Sequence, residues 1–256
     1  YPETALRPMH DLDFLLPPGD FVRGFDWLTA HGWKPLRGTR EGYLKRLRTF
    51  HALPVMGPDG VEIDLHRHML EENCSTGADK RLLERVRTAE VDGLTVTVPS
   101  AEDQVINACV HGVRWDPVPP LRWLLDAVMV LRATEAFDWE YLEAESQERG
   151  VGLAMAAALE FARDFEPSIP GETISRLRAG KHSRLERFDF RFQQGGYSAP
   201  VQVGRYATRY LRLSNGRSSW RRTAEFPTYL AAMWEIEDAR KVPAEGVKRV
   251  WKAVRR

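Results

Sequence analysis

Two aspartates, Asp11 and Asp13, lie one residue apart in the stretch RPMHDLDFLLP. Residues two apart in a strand point to the same face, so both carboxylates are predicted to project together while Leu12, Phe14 and Leu16 pack into the core. Two adjacent negative charges are unfavourable unless a cation compensates them, and Mg²⁺ binds carboxylate oxygens together with substrate phosphates. The spacing therefore indicates a metal site, although acidic pairs also occur at solvated strand ends.

A second acidic stretch, VEIDLHRH, follows about fifty residues later. The same alternation predicts that Glu62, Asp64 and His66 share one face. A third carboxylate on a neighbouring strand would complete a two-metal site that activates a hydroxyl and stabilises a leaving pyrophosphate. His66 and His68 could bind a transition metal only with a further ligand that the pattern does not identify. A hydrogen-bonded His66 supporting Asp64 is the interpretation we favour, with His51 near the same cleft. This position also makes His66 a candidate substrate- or nucleotide-binding residue.

The first hundred residues have the pattern of a small mixed sheet with a packed helix. After the first strand, DFVRGFDWLTAHGW predicts a helix that is capped by Asp20 and ends at Gly32. The runs YLKRLRTFHALPVM and VEIDLHRHML, joined by the turn residues GPDG, predict a hairpin of two extended segments. A further extended run, LTVTVP, covers residues 94–99.

From Ser100 onward the hydrophobic period becomes helical. Ser100 is a predicted N-cap with Asp103 three residues later, and Gly112 is the predicted end of that helix. Further helices are predicted in PPLRWLLDAVMVLR, DWEYLEAESQERG, VGLAMAAALEFARDF and the Arg-rich segments up to the last residue. We therefore predict an α+β protein with a catalytic α/β lobe at 1–99 and a helical lobe at 100–256.

A strand with an Asp-x-Asp pair, then a helix, then a hairpin with another aspartate is the order of the DNA polymerase beta-like nucleotidyltransferase fold. The chain resembles the uncharacterised nucleotidyltransferase family (nucleotidyltransferase family 5) in YPETALRPMHDLDFLLP, AHGW, FHALPVM and VEIDLH. The resemblance continues in DQVINACVHG, LRWLLDAVMVLR and FDWEYLEAESQERGVG and covers about residues 1–170.

The resemblance implies in-line transfer of a nucleoside monophosphate from a nucleoside triphosphate to an acceptor. It implies that Asp11 and Asp13 bind Mg²⁺, with Mn²⁺ as an alternative, and that Asp64 is the third carboxylate. Asp64 would then help to deprotonate the acceptor hydroxyl. Arg7 would contact a phosphate oxygen or pair with an aspartate.

Three residues of the helical lobe also match the family pattern: His111, Arg122 and Asp126. They would line a cleft between the lobes and contact base, ribose or acceptor. Alternatively, Arg122 and Asp126 form an intrahelical pair worth a few tenths of a kcal/mol, and His111 bonds to a neighbouring loop.

One superfamily element has no match in the sequence. Related enzymes carry a Gly-Ser or Lys-Gly turn shortly before the Asp-x-Asp pair, where backbone N–H groups hold the triphosphate. We therefore expect either that the catalytic lobe is truncated at its N-terminus or that its site is incomplete. An incomplete site would make the protein a catalytically impaired nucleotide-binding or adaptor module.

The charges are unevenly distributed along the chain. Residues 176–256 contain 19 Lys and Arg against 7 Asp and Glu, a balance of +12, whereas residues 1–175 have a balance of −11. A basic segment of this kind can bind phosphate-bearing partners, so an RNA-modifying transferase of the toxin type is an alternative function. A solvated face that neutralises the acidic front is the simpler interpretation.

Composition indicates the cellular location and the state of the cysteines, but it does not identify the acceptor. No apolar run is long enough to cross a membrane and no signal peptide is apparent, so we expect a cytoplasmic protein. Cys74 and Cys109 are expected to be reduced thiols. The terminal VKRVWKAVRR is amphipathic and is expected to dock on the protein body through its apolar face.

The sequence does not identify the substrates. A small molecule, a peptide, a protein and an RNA all remain candidate acceptors, and any of the four common triphosphates could be the donor. The oligomeric state is also undetermined.

Overall fold

The structure is a computed structural model that describes residues 12–17, 19–36, 38–47, 50–113, 121–195, 199–214, 218–234, 236 and 238–254. It confirms the predicted α+β class, with a small mixed sheet near the N-terminus and many helices. The chain forms two compact units: the first combines 1–76 with 210–256, and the second comprises 77–209. The predicted domains 1–99 and 100–256 have other boundaries and stay a prediction.

The strands are β1 (Leu12–Leu15), β2 (Lys34–Pro35), β3 (Ala52–Met56), β4 (Glu62–His66), β5 (Arg87–Val91) and β6 (Leu94–Val98). The helices of the N-terminal part are α1 (Phe21–Ala30), α2 (Arg40–Arg46) and α3 (Lys80–Glu84). Those of the middle part are α4 (Ala101–Val113), α5 (Arg122–Arg132), α6 (Trp139–Glu148), α7 (Gly152–Ala162), α8 (Gly171–Ala179) and α9 (Arg184–Gln193). They are followed by α10 (Ala199–Leu213), α11 (Ser219–Met233) and α12 (Val242–Val254).

The sheet of the first unit has the strand order β1-β4-β3-β2. β1 pairs with β4 in parallel, while the β4–β3 and β3–β2 pairs are antiparallel. The predicted hairpin is therefore β3–β4, and β1 lies at one edge of the sheet that the described residues form. This order places β1, which carries Asp13, directly beside the strand that carries Asp64.

The edge position of β1 corrects one prediction about the core. Leu12 and Phe14 face the same side as Ile63 and Leu65 of β4, but they are 42% and 50% exposed, respectively, rather than buried. Only one side of an edge strand has a neighbouring strand to cover it, and the buried core of this unit is formed by residues of α1, α2, β3 and β4. Leu16, just beyond the strand, does pack against the core.

The core of the first unit lies between the sheet and helices α1 and α2. Its buried members are Phe21, Phe25, Tyr43, Leu53, Val55, Ile63 and Leu65. The extended run predicted from Tyr43 onward is wrong in its first part, which forms α2 instead. Tyr43 packs on Phe25 and its hydroxyl donates to the carbonyl of Pro54, so tertiary packing holds this segment as a helix. The side chain of Asp20 contacts Arg23 and does not cap α1.

The second unit contains the β5–β6 hairpin and helices α3 to α9. Asp92 and Gly93 both have positive φ angles at the hairpin turn, as expected for the Asp-Gly turn that joins two strands. The predicted N-cap of α4 is confirmed, because the N–H of Asp103 donates to the Ser100 hydroxyl. Gly112 does not end α4, which continues to Val113. An added Cβ at Gly112 would lie 2.0 Å from the Trp123 ring, so this glycine permits α4 and α5 to approach closely.

The last helices pack within the first unit. Val242 is buried at the start of α12, and Arg249 stacks over the ring of Trp234 at 5.0 Å. Val247 and Trp251 are exposed, so the predicted docking through this apolar face does not hold for these two residues. Among the described residues, no helix has the length and apolar character needed to cross a membrane.

Candidate metal centre

The parallel pairing of β1 with β4 brings two carboxylates side by side. In the register of this pair, Asp13 is the direct partner of Asp64. Paired residues in a ladder point to the same face, and the alternation within β4 adds His66 to that face. One ligand atom from each of the three residues lies within 4.8 Å of the others.

His66 is the most enclosed member of this group. Its side chain is 10% exposed, whereas that of Asp13 is 60% exposed. The Nε2 atom of His66 lies 3.1 Å from Oδ1 of Asp13, and Nδ1 lies 3.2 Å from the carbonyl oxygen of His68. Both ring nitrogens therefore face oxygen atoms, and a carbonyl can only accept, so Nδ1 carries a proton.

The electrostatic surroundings of His66 favour its protonated form. Burial lowers its pKa, whereas the hydrogen bond and the charge of Asp13 raise it. The carbonyl of His68 and the charge of Asp64 act in the same direction, and the net pKa is raised above its ordinary value. An imidazolium here compensates the paired carboxylates, as a bound cation would.

A further histidine and a glutamate lie behind this group. The ring of His51 meets the ring of His66 edge-on, with 5.2 Å between the ring centroids. Nδ1 of His51 lies 3.9 Å from an oxygen of Glu71. His51 was expected near the cleft on the basis of the hairpin. The position of Glu71 near His51 was not predicted. Glu71 follows the strand in the stretch LEEN, where no periodic pattern indicates the direction in which its side chain points.

The donor set fits a divalent cation. Two carboxylates on adjacent strands supply the oxygen ligands that Mg²⁺ and Mn²⁺ use in proteins, and the exposure of Asp13 leaves one side of the group accessible to water. Like charges directly opposite on adjacent strands are otherwise destabilising. The arrangement therefore has the composition and charge of a cation site.

The other residues predicted for the site are not all part of the carboxylate–histidine group. Asp11 and Arg7 lie outside the described residues. His66 lies beside Asp64, as the alternation predicts, and it also bonds to Asp13. The remaining three, His111, Arg122 and Asp126, belong to the second unit.

In that unit, His111 and Arg122 are exposed on α4 and α5, and Asp126 is half-buried on α5. The structure brings Asp13, Asp64 and His66 together within the first unit. The substrate contacts predicted for the other three residues stay a prediction.

Comparison with known proteins gives one match. Residues 1–166 match the family model described as uncharacterised nucleotidyltransferase. Neither the curated proteins nor the solved structures yielded a match. The matched region is well over half of the chain and includes all three residues of the candidate metal centre. The chain therefore belongs to the uncharacterised nucleotidyltransferase family, a membership that associates it with nucleotidyl transfer.

Proposed function

We propose that this protein is a transferase that moves a nucleoside monophosphate from a nucleoside triphosphate to a hydroxyl-bearing acceptor, using a divalent cation held by Asp13 and Asp64. The observation that carries the proposal is the direct pairing of these two aspartates on one face of the sheet. Family membership supplies the reaction class. Together they support a nucleotidyl-transfer role for this carboxylate pair, in which a divalent cation would take over the charge compensation that a protonated His66 can provide.

The residues of this chain have distinct roles in the proposal. Asp13 and Asp64 hold the cation, and Asp11 is the further carboxylate that the family pattern adds. A bound Mg²⁺ or Mn²⁺ supplies positive charge that neutralises the triphosphate and favours ionisation of the acceptor hydroxyl. Asp64 lies on β4, in the interior of the sheet, and is the base for the acceptor proton.

The direction of access follows from the exposure of the two carboxylates. Asp13 is exposed and Asp64 is half-buried. We therefore place the triphosphate on the side of Asp13, where charged oxygens can reach the cation without crossing the core. The contacts proposed for Arg7, His111, Arg122 and Asp126 concern the nucleotide and the acceptor rather than the cation.

The direct experiment uses the full chain with each of the four common nucleoside triphosphates, labelled at the α-phosphate, in a cognate lysate with Mg²⁺ or Mn²⁺. We expect a macromolecule or metabolite to become labelled, and we expect both Asp13→Ala and Asp64→Ala to abolish labelling. Asp59→Ala is the matched control, because Asp59 is exposed in the turn between β3 and β4. Circular dichroism checks that each variant remains folded.

Two results would contradict the proposal. Metal-dependent labelling that persists in Asp13→Ala or Asp64→Ala would show that these carboxylates do not hold the required cation. Nucleotide binding by the native protein without any transfer would instead favour the adaptor alternative, and titration calorimetry with each triphosphate measures that binding.

The labelling experiment also identifies the acceptor. RNA among the labelled products would support the alternative, suggested by the basic C-terminal segment, of an RNA-modifying transferase.

A further inference from the structure

We propose that His66 is itself a ligand of the cation, bound through Nε2 beside Asp13 and Asp64, and that the site consequently prefers Mn²⁺ to Mg²⁺. The inference rests on the proposed function, since it concerns the same cation. It goes further by assigning a nitrogen ligand and the identity of the metal. The sequence pattern favoured a supporting position for His66 over a metal-binding one.

The first support is the distance between the ligand atoms. Nε2 of His66 lies 3.1 Å from Oδ1 of Asp13. Neighbouring ligand atoms of a six-coordinate ion with bonds of about 2.1 Å stand about 3.0 Å apart. The two side chains are therefore already spaced as adjacent ligands, and the Asp64 carboxylate lies within the same 4.8 Å group.

The second support is the orientation of the imidazole. Histidines that bind metals usually donate the N–H of their other ring nitrogen to a carbonyl or carboxylate, which selects the tautomer and the ring direction. Nδ1 of His66 makes this contact with the carbonyl of His68 at 3.2 Å. Nε2 is thereby directed at the two carboxylates, where it can bear either a proton or a metal ion.

The third support is the rigidity of the side chain. His66 is nine-tenths buried at the end of β4. The edge-on contact with His51 restrains the plane of its ring. A ligand on a buried strand with a packed ring is held in place before the ion arrives, which is the arrangement expected of a built site.

The mixed donor set determines the preference among ions. Mg²⁺ takes oxygen ligands almost exclusively and loses its water reluctantly. First-row transition ions accept imidazole nitrogen as well as carboxylate oxygen. Replacing one oxygen by Nε2 of His66 therefore weakens Mg²⁺ binding relative to Mn²⁺ binding.

The experiment uses the full chain with Mn²⁺ alone, without nucleotide. Pulsed electron paramagnetic resonance of bound Mn²⁺ detects a directly coordinated nitrogen, and protein labelled with ¹⁵N-histidine identifies that nitrogen as histidine. We expect a histidine coupling in the native protein and in His31→Gln, and its loss in His66→Gln. His31 is a matched control because it is exposed on the end of α1, where it stacks on Trp27.

Affinity gives an independent measure. Titration of Mn²⁺ and Mg²⁺ separately should show that His66→Gln reduces the preference for Mn²⁺ by on the order of 10-fold or more, whereas His31→Gln leaves the ratio unchanged. The spectrum of the native protein remains decisive if His66→Gln does not fold.

The outcomes separate this inference from the proposed function. Stoichiometric Mn²⁺ binding that Asp13→Ala abolishes, but without a histidine coupling, would overturn the His66 assignment and leave the carboxylate site intact. An unchanged Mn²⁺ to Mg²⁺ ratio in a folded His66→Gln protein would also overturn it. If the native protein binds neither ion without nucleotide, the His66 assignment is wrong, and the labelling experiment with nucleoside triphosphates tests the proposed function separately.

Discussion

Substitution of Arg149, whose guanidinium group is buried, should reduce the stability of the second unit more than any other single substitution. The Arg149 side chain is fully buried, and Nη1 and Nε lie 2.9 Å from Asp79 and 2.7 Å from Glu145. Both carboxylates are nearly inaccessible to solvent as well. Arg149→Met preserves much of the side-chain volume but leaves two buried carboxylates without their central counterion.

The expected loss is large because the charges cannot return to water in the folded state. Breaking a buried ion pair by removing one partner costs about 3–5 kcal/mol, compared with a total unfolding free energy of about 5–15 kcal/mol for a typical protein. At about 2–4 °C per kcal/mol for a chain of this size, the melting temperature should fall by roughly 6–20 °C. Hydrogen exchange should localise the loss to residues 77–209.

The pH dependence tests the electrostatic cause. Burial raises the pKa of Glu145, and the charge and hydrogen bond of Arg149 oppose that rise, as does Arg81. Arg149→Met removes the main opposing influence, so the pKa of Glu145 in the folded variant rises further. A carboxyl group whose pKa is higher in the folded state than in the unfolded state contributes its full stability below the pKa of the unfolded state, about 4.3. It loses that contribution as the pH rises through the pKa of the folded state. The deficit of the variant should therefore be larger at pH 7 than at pH 4.

Urea unfolding followed by helical circular dichroism measures the deficit at both pH values. The triple variant Arg149→Met, Asp79→Asn, Glu145→Gln serves as the control, because it removes the two buried carboxylate charges together with their counterion and leaves no uncompensated charge in this network. We expect it to recover most of what the single variant loses at pH 7. Equal deficits at pH 7 and pH 4, together with a triple variant no more stable than the single one, would refute the electrostatic explanation.

Three further predictions address the metal centre, the helix packing and the thiols. Mn²⁺ at a hundred times its dissociation constant should raise the unfolding free energy by about 2.7 kcal/mol, and a thermal-shift assay should show no such gain in Asp64→Ala. Gly112→Ala should destabilise the protein by about 1–3 kcal/mol in urea unfolding, because its Cβ would meet an indole ring at 2.0 Å. Gly42→Ala should instead be neutral or stabilising by up to about 1 kcal/mol, since the same substitution there meets only an ordinary contact. Burial raises the pKa of Cys109 to about 12, so a thiol reagent should modify only the partly exposed Cys74 in the native protein and both thiols in guanidinium.

The structural features that were predicted correctly from the sequence are those that depend on neighbouring residues alone. Alternation within a strand is a property of the backbone, and it correctly assigned Asp64 and His66 to one face. The N-cap of α4 depends on Ser100 and the first turn of the helix, so a short stretch of sequence contains the whole signal. Hairpin β3–β4 was predictable for the same reason, because its two strands are adjacent in the chain.

The errors concern residues whose environment depends on distant parts of the chain. Leu12 and Phe14 alternate as core residues do, but the pattern does not reveal that β1 lies at the edge of the sheet. Tyr43 has a high strand propensity, yet its contacts with Phe25 and Pro54 hold it in a helix. Propensity is a weak prior when tertiary contacts oppose it. The hydrogen bond from His66 to Asp13 depends on the parallel register of two strands about fifty residues apart.

The division of the candidate site between an edge strand and an interior strand has a consequence for its chemistry. Asp64 and His66 lie on β4, which is hydrogen-bonded to a neighbouring strand on each side. Asp13 lies on β1 at the edge and is exposed. We infer that the interior pair determines which ion is selected, because selectivity requires fixed ligand positions. The edge carboxylate supplies an oxygen ligand that suits both ions, so substitutions at Asp13 should weaken the binding of Mn²⁺ and of Mg²⁺, and should change the ratio of the two affinities less than His66→Gln does.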